Sequence, residues 1–525
     1  MGLINRDDLL FVRSVGELSY TNPFTASRFE LEQKALGNDY VEEPSVYWSL
    51  NPAPDFHRRE NLVRLSAQSQ KIATNLRSRI IKGTSASDEE LELYDDLIVY
   101  LVFYELFDTW GKQRMHDASA VEANRFAWKR FSDAFSHWFE LPGVSLPSLK
   151  EKTHLFSLYH QVYRAFFSIF ECVVGASEPI AELRAKIWQS IFTHNVRRYR
   201  KNLYQSLGQI TTLIQGPSGS GKELVSQALG MSRYIPFDPK KQSFAIDPAE
   251  HYHAINLSAF SKSLMESELF GHSKGAFTDA REARVGWLEA SGDLGAVLLD
   301  EIGELDLVTQ VKLLRLLQSR QYQRVGETKI REFRGKIIAA TNRDLRVEIN
   351  RGTFREDLYY RLCSDVIETP SLSRQLGHSP NALDDLVMHV CQRLSPDDYS
   401  SFVEEVLNWI RNHLPQNYSW PGNIRELEQC ARNILIHGSY SPNHSQAGNE
   451  SSSSKLTTQI DKLELTADEL LAKYCQIAYS KTRSFEKAAK LLQMDRRTVR
   501  AKIDWLAEQN TSTRDSNSSN EEDSV

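Results

Sequence analysis

The segment Gly216-Pro-Ser-Gly-Ser-Gly-Lys-Glu223 follows a short β-branched run, 209–215, and precedes a stretch of helical character. Glycines at this spacing let backbone N–H groups face phosphate oxygens at a helix start, and Lys222 can reach the outer phosphates. Gly216, Pro217, Ser218, Gly219, Ser220, Gly221, Lys222 and Glu223 are therefore candidate nucleotide-binding residues. The general pattern has Ser or Thr after the lysine to bind Mg²⁺, and here that position is Glu223. Downstream, Ala296-Val-Leu-Leu-Asp300-Glu301 is an apolar run ending in two carboxylates. In that arrangement Asp300 would hold Mg²⁺ and Glu301 would polarise an attacking water. Together the two motifs predict ATP hydrolysis.

Both motifs need a scaffold, and the surrounding pattern supplies one. From about residue 183 short apolar strands alternate with helices, with strand candidates at 252–257, 296–299 and 336–340 after the first at 209–215. That alternation predicts a mainly parallel sheet covered by helices, with the first strand entered from a helix over roughly 182–204. Residues ~371–437 return to helix only. The first ~180 residues read as helical and aromatic. Ser87-Asp-Glu-Glu90 has the form of a capping box. Trp128, Phe131, Phe135 and Trp138, then Phe156, Tyr159, Tyr163, Phe166 and Phe170, repeat at helical spacing. This spacing fits an aromatic core between packed helices, with a sensory pocket as the alternative.

Composition sets the outer limits. The 525 residues should form two to four domains, and 41% hydrophobic with 25% charged content is ordinary for a globular chain. A net charge of −6 argues against a protein that coats nucleic acid, without excluding one small basic module. The five cysteines lack metal spacing and read as reduced thiols of a cytoplasmic protein. No secretory signal is visible, and the most apolar run, 97–104, is too short to span a bilayer. Asp7-Asp8 precede the run Leu9–Val12 instead of following it, which argues against a phosphoacceptor receiver domain.

Residues 438–464 have linker composition, and 509–525 a composition typical of disorder. Between them Phe485–Leu492 forms an amphipathic stretch, Gln493-Met494 a tight connection, and Asp495 a cap for the basic run Arg496-Arg-Thr-Val-Arg-Ala-Lys-Ile503. The pattern fits a helix-turn-helix in which Arg496, Arg497, Thr498, Arg500 and Lys502 approach bases or phosphates of double-stranded DNA. It fits equally a helical hairpin with a solvated basic face.

With these residues placed, the chain resembles the AAA+ activators of sigma-54 RNA polymerase, the bacterial enhancer-binding proteins, from about 183 to 436 and more loosely to the C-terminal module. Gly-x-Ser-Gly-x-Gly-Lys-Glu is that family's form of the phosphate loop, which accounts for Glu223. Glu268-Leu-Phe-Gly-His-x-Lys-Gly-Ala-Phe-Thr278 is similar to its signature loop, implying that Gly275, Ala276, Phe277 and Thr278 contact sigma-54. The resemblance further implies that Asn342 monitors the γ-phosphate. Asn256 would restrain Glu301 as a switch residue, Arg355 and Arg361 would reach a neighbouring subunit's nucleotide, and Arg425 would reach nucleotide from the lid. It makes the C-terminal module a Fis-type helix-turn-helix.

The expected architecture is multidomain. A mainly helical domain (1–180) of unknown regulatory role leads to an α/β AAA+ core (181–370), a helical lid (371–437) and, after the linker, a DNA-binding module (465–508). The resemblance implies a ring, as a hexamer, that binds upstream DNA and uses ATP with Mg²⁺ to remodel sigma-54 RNA polymerase for promoter opening. Asp279 stands where the family loop has glycine, so the alternative is an ATP-assembled DNA-binding regulator without productive sigma-54 contact. The extra segment 231–250 and the altered segment 371–380 read as changes of surface.

Overall fold

The computed structural model describes residues 2–42, 59–115, 120–277, 280–379, 381–442, 466–482 and 484–505. The expected linker from 443 onward, the expected tail, Thr278 and Asp279 lie outside these. The chain divides into two compact units, 1–439 and 440–525.

The strands in chain order are β1 Thr212–Gln215, β2 Phe237–Asp238, β3 Ser243–Phe244, β4 Tyr252–Asn256, β5 Ala296–Asp300, β6 Gln321–Tyr322, β7 Arg331–Glu332, β8 Lys336–Thr341 and β9 Asp365–Glu368. Five of them form one sheet in the order β4-β5-β8-β1-β9, parallel throughout. Parallel sheets are covered on both faces, so their strands read as near-continuous apolar runs. All six residues of β8 are buried, as are Ala296 to Leu299 of β5. Because every strand runs the same way, the carboxyl ends of β1, β5 and β8 lie along one edge. Ligands of open α/β sheets bind at that edge.

Helices Lys222–Met231 and Leu307–Ser319 belong to this layer, and Leu372–His378, Ala382–Leu394, Tyr399–His413 and Asn423–His437 form the all-helical lid expected after 371. The AAA+ α/β architecture is as the sequence indicated. The short edge strand β9 was not anticipated.

The N-terminal region is helical as expected, with helices Arg6–Leu18, Ser27–Leu36, Glu60–Ile81, Asp88–Met115, Ala120–Phe139, Lys152–Cys172 and Glu178–Phe192. The capping box forms: the Ser87 amide donates to Glu90 Oε2 at 3.0 Å and the Glu90 amide to Ser87 Oγ at 3.2 Å. The aromatic stripes lie in the core, where Phe131, Phe156 and Phe170 are almost fully buried.

Three expectations need correcting. The boundary at 180 does not separate two cores: one apolar cluster runs from Leu3 through Phe156 and Ile187 to Ile214, Leu298 and Ile367. The helix placed at 182–204 is Glu178–Phe192, ended by Thr193 at φ 64° and followed by a π-helical turn, Tyr199–Leu203. The segment 231–250 is not a surface change. Its β2–β3 hairpin inserts Phe237 and Phe244 among N-terminal aromatics, with ring centroids 4.7 Å (Phe237–Phe156) and 4.9 Å (Phe237–Trp128) apart. The Phe237 amide donates to Ser157 Oγ at 3.0 Å. Contacts of this kind between aromatic rings add to the area they bury.

In the second unit, helices Ala467–Thr482 and Phe485–Leu492 and a third over 496–505 enclose a small core of Cys475, Ala478, Ala488, Ala489 and Val499. The tight connection forms because Gln493 takes a left-handed conformation (φ 55°), and Asp495 Oδ1 accepts the Arg497 amide at 2.8 Å. Arg496, Arg497, Thr498 and Arg500 are exposed. Lys502 is half-buried, its ammonium 2.6 Å from Asp468 Oδ1. Among the described residues no helix is long and apolar enough to cross a membrane.

Candidate functional site

β1 ends at Gln215 and the chain turns through Gly216 to Gly221 into the helix Lys222–Met231. Gly219, at φ +74°, could not be another residue: a Cβ there would lie 2.3 Å from the Gly422 carbonyl of the lid. The Lys222 ammonium donates to the carbonyls of Gly216 (3.0 Å) and Pro217 (3.1 Å), which holds it over its own loop. Burial lowers its pKa, while Glu301 and Asp300 across the cleft act in the opposite sense. Ser220 Oγ fixes the loop from beneath, 2.7 Å from the Pro217 carbonyl and 2.6 Å from Thr369 Oγ1.

The lid closes on the same loop. Ile424 N donates to the Gly219 carbonyl at 3.1 Å, Asn423 Nδ2 to the Ser218 carbonyl at 2.9 Å, and the Arg425 guanidinium to Ser218 Oγ at 3.3 Å. Asn423 Oδ1 also accepts the Leu372 amide at 2.8 Å. Its role was not recognised in the sequence, although an asparagine after Pro-Gly, suited to the φ of +53° it adopts, was a usable signal.

β5 delivers the carboxylates. Its last residue, Asp300, pairs in register with Asn256 at the end of β4, and Asp300 Oδ1 accepts the Glu301 amide at 3.0 Å. Glu301 itself is left-handed at φ 56°, ψ 49°. For a residue with a Cβ this costs on the order of 1–3 kcal/mol, and such strain clusters at functional sites. Asn256 Oδ1 accepts from Ser258 N (3.0 Å) and Ser258 Oγ (2.6 Å).

Ser218 to Glu223, Asn256, Asp300, Glu301 and Arg425 thus line one cleft of about 380 Å³. Its far wall is apolar, made by Val173, Val174, Ile180, Leu183, Leu386 and Val390, and was not foreseen. Asn342 is exposed just beyond β8 and does not line the cleft. Arg355 and Arg361 also lie outside it. Both are exposed at the two ends of the helix Glu356–Leu362, and Arg355 is paired with Asp357 at 2.7 Å.

The glycine-rich loop stands on the same core. His272 and Arg284 exchange backbone hydrogen bonds of 3.0 and 2.9 Å, and the Gly275 amide donates to the Ala280 carbonyl at 2.8 Å. Gly275 takes φ +80° at the turn, and the Phe277 ring, 39% exposed, rests 5.0 Å from the His272 ring. A second loop braces the first, with Ser273 N donating to the Val325 carbonyl at 3.0 Å and Val325 N to the Gly271 carbonyl at 2.9 Å.

Residues 189–368 match the family model described as the sigma-54 interaction domain. That stretch of the chain is similar to this domain. The sigma-54 interaction domain accounts for the alternating α/β pattern, the glycine-rich loop and the strand ending in Asp300-Glu301. Transcriptional regulatory protein ZraR of Escherichia coli (strain K12) is 41% identical over 241 residues, covering 44% of this chain and 49% of ZraR. The DNA-binding transcriptional regulator NtrC of Rhizobium meliloti (strain 1021) is 41% identical over 231 residues, 43% of this chain and 42% of NtrC. A signal-transduction and transcriptional-control protein of Clostridium beijerinckii is 34% identical over 372 residues, 68% of this chain and 53% of that protein. The chain spans about half the length of these curated relatives. A solved structure of NtrX from Brucella abortus in complex with ATP aligns over 68% of this chain and 73% of that one at 23% identity, with a TM-score of 0.37.

Proposed function

We propose that this chain is a transcription activator that hydrolyses ATP to remodel sigma-54 RNA polymerase, docked upstream by its C-terminal module. The observation that carries the reading is the common cleft: the phosphate loop, the two carboxylates of β5 and the lid arginine converge there, on the domain that also presents the Phe277 ring.

The residues fit a nucleoside triphosphate with Mg²⁺. Backbone amides of Gly219 to Lys222 at the start of a helix suit phosphate oxygens, and the apolar wall suits a flat base. Asp300 would hold Mg²⁺, which neutralises charge developing on the phosphates. Lys222 leaves the carbonyls of Gly216 and Pro217 to bind the outer phosphates, and Glu301 orients and polarises the attacking water. Asn256, opposite Asp300, would restrain Glu301 once released from Ser258. Arg425 reports nucleotide to the lid, and Asn342 does so from the end of β8. Arg355 and Arg361 lie outside the cleft of their own chain, which supports their acting in a neighbour's cleft within a ring. Movement of β5 and the lid then displaces Gly275, Ala276, Phe277 and Thr278 against sigma-54. Arg496, Arg497, Thr498 and Arg500 supply the DNA-facing side of the C-terminal module, and Lys502, tied to Asp468, steadies it from behind.

The deciding experiment measures promoter opening by sigma-54 polymerase with the full chain and ATP. Opening that requires ATP and is lost in Glu301→Gln supports the reading. ATP hydrolysis without opening sinks it and favours a DNA-binding regulator, in which case Asp279→Gly is the first restoration to try.

A further inference from the structure

We propose that Thr369 is a positioning residue for the phosphate loop. Its hydroxyl pins the Ser220 side chain against the Pro217 carbonyl, which leaves Lys222 free to turn to phosphate. The inference rests on the ATPase reading and adds to it a residue outside the loop that shapes its phosphate site.

Thr369 lies between the end of β9 at Glu368 and the lid helix Leu372–His378, where the core hands over to the lid. Its amide donates to the Gln215 carbonyl at 2.8 Å, which extends the β1–β9 ladder by one step. The side chain then sits against the loop that leaves β1. A Cβ on Gly216 would collide with Thr369 Oγ1 and lie 2.8 Å from the Thr369 carbonyl. The first glycine of the loop is therefore needed for this approach, whatever it also does for phosphate. Thr369 and Ser220 are only 4% and 8% exposed, so water competes little for their hydroxyls.

The direction of the hydroxyl bonds follows from counting protons, since each hydroxyl has one to give. Ser220 Oγ stands 2.7 Å from the Pro217 carbonyl and 2.6 Å from Thr369 Oγ1. The other acceptor within reach of Thr369 Oγ1, the Gln215 carbonyl, is 3.3 Å away. Both short bonds form together only when Thr369 donates to Ser220 and Ser220 donates to Pro217. In the reverse order Pro217 loses its hydroxyl donor, and Thr369 keeps only the long bond to Gln215. The chain of bonds runs inward, from the lid hinge to the loop. Without the Thr369 hydroxyl, Ser220 is free to leave this rotamer.

Pro217 is where this chain of bonds meets the phosphate chemistry. Its carbonyl is one of the two that hold the Lys222 ammonium, at 3.1 Å. With Ser220 Oγ donating to it, that carbonyl stays bonded when Lys222 turns to a phosphate, and the turn leaves no acceptor stranded there. The remaining lid contacts with the loop come from Asn423, Ile424 and Arg425 and end on Ser218 and Gly219. None of them reaches Ser220 or Pro217, so they do not replace the Thr369 hydroxyl.

The test uses the full chain with ATP, inorganic tripolyphosphate (phosphates without a base) and adenosine (a base without phosphates). Thr369→Val keeps the side-chain shape and removes the hydroxyl. It should raise KM for ATP and Kd for tripolyphosphate by one common factor, about twofold to tenfold, the worth of one net hydrogen bond. The kcat and the Kd of adenosine should stay near the parent values, and Thr369→Ser should restore tripolyphosphate binding. In a Ser220→Ala chain, Thr369→Val should have no further effect, because the hydroxyl acts only through Ser220. Unchanged tripolyphosphate binding in Thr369→Val overturns the proposal. An equal loss of adenosine binding also overturns it, since that marks a general loosening of the cleft. The same loss repeated in the Ser220→Ala chain overturns the route through Ser220. A parent chain that binds tripolyphosphate without hydrolysing ATP defeats the function proposed above, while the binding series still decides the role of Thr369. A parent chain that does not bind tripolyphosphate defeats both.

Discussion

The guanidinium of Arg164 donates to the carbonyl of Met231, so a residue of the N-terminal helical layer grips the last turn of the helix that Lys222 begins. Phe237 makes the reciprocal contact, reaching from the ATPase core onto Phe156. Removing 1–180 should therefore not release a free ATPase but expose Phe237, Phe244 and the apolar side of the helix Lys222–Met231. A chain beginning at residue 181 is expected to be insoluble or to lose its cooperative melting transition. Phe237→Ala in the full chain should cost about 3–5 kcal/mol, as for other large aromatic truncations in cores. Chemical denaturation checks the second, and soluble yield the first.

Glu301→Gln keeps size and shape but cannot polarise water. Hydrolysis should fall by roughly 10²–10⁴, the usual range for a lost general base. Nucleotide binding, followed by equilibrium titration, should persist. Equal loss of binding and turnover would show that Glu301 holds the fold of the cleft and not the water.

Phe277→Ala tests the contact loop separately. Phe277 is partly exposed and its ring rests against that of His272, so Tm should move little. The ATPase rate should stay near that of the parent chain, while ATP-dependent promoter opening is lost.

If arginines act between subunits, defects in different chains can complement each other. Arg361→Ala and Glu301→Gln should each be inactive alone. Mixed before assembly, they should recover part of the ATPase rate, because some interfaces then join an intact Glu301 to an intact Arg361. No recovery at any mixing ratio would place Arg361 outside the reaction.

Lys336, buried at the start of β8, donates to the Ile210 carbonyl at 2.7 Å, and burial pushes its pKa down to about 8. The ordinary lysine value is about 10.4, so between the two the unfolded chain binds more protons than the folded one. This group therefore makes the fold more stable as pH rises from about 8 to about 10.4, and contributes least below that window. Lys336→Met lacks the dependence. Its stability relative to the parent chain should be greatest near about pH 7 and decline by about pH 9.5 in denaturant titrations.

The parts of the molecule that could be read from sequence are those written in local pattern. Gly216 to Glu223 and Ala296 to Glu301 each carry their meaning within eight residues, and their alternation with helices was enough to anticipate the parallel sheet. The helical repeat of Trp128, Phe131 and Phe135 likewise identified a buried face. What escaped was non-local. β9 is four residues, Asp-Val-Ile-Glu, with too little apolar content to announce a strand, and it exists because β1, some 150 residues earlier, offers it an edge. Phe237 and Phe244 looked like part of an insertion because nothing nearby in sequence reveals that Phe156 awaits them. The left-handed torsion at Glu301 has no compositional sign, since glycine is absent there.

The single core running from Leu3 to Ile367 also bears on how such a protein could be re-engineered. Sensors joined by tethers can be exchanged like cartridges, with the output left intact. Here the interface is woven from aromatic rings on both sides and a helix whose two faces serve different partners. A new input would have to be worked into this shared core, one packed residue at a time, and not grafted as a foreign receptor upstream of β1.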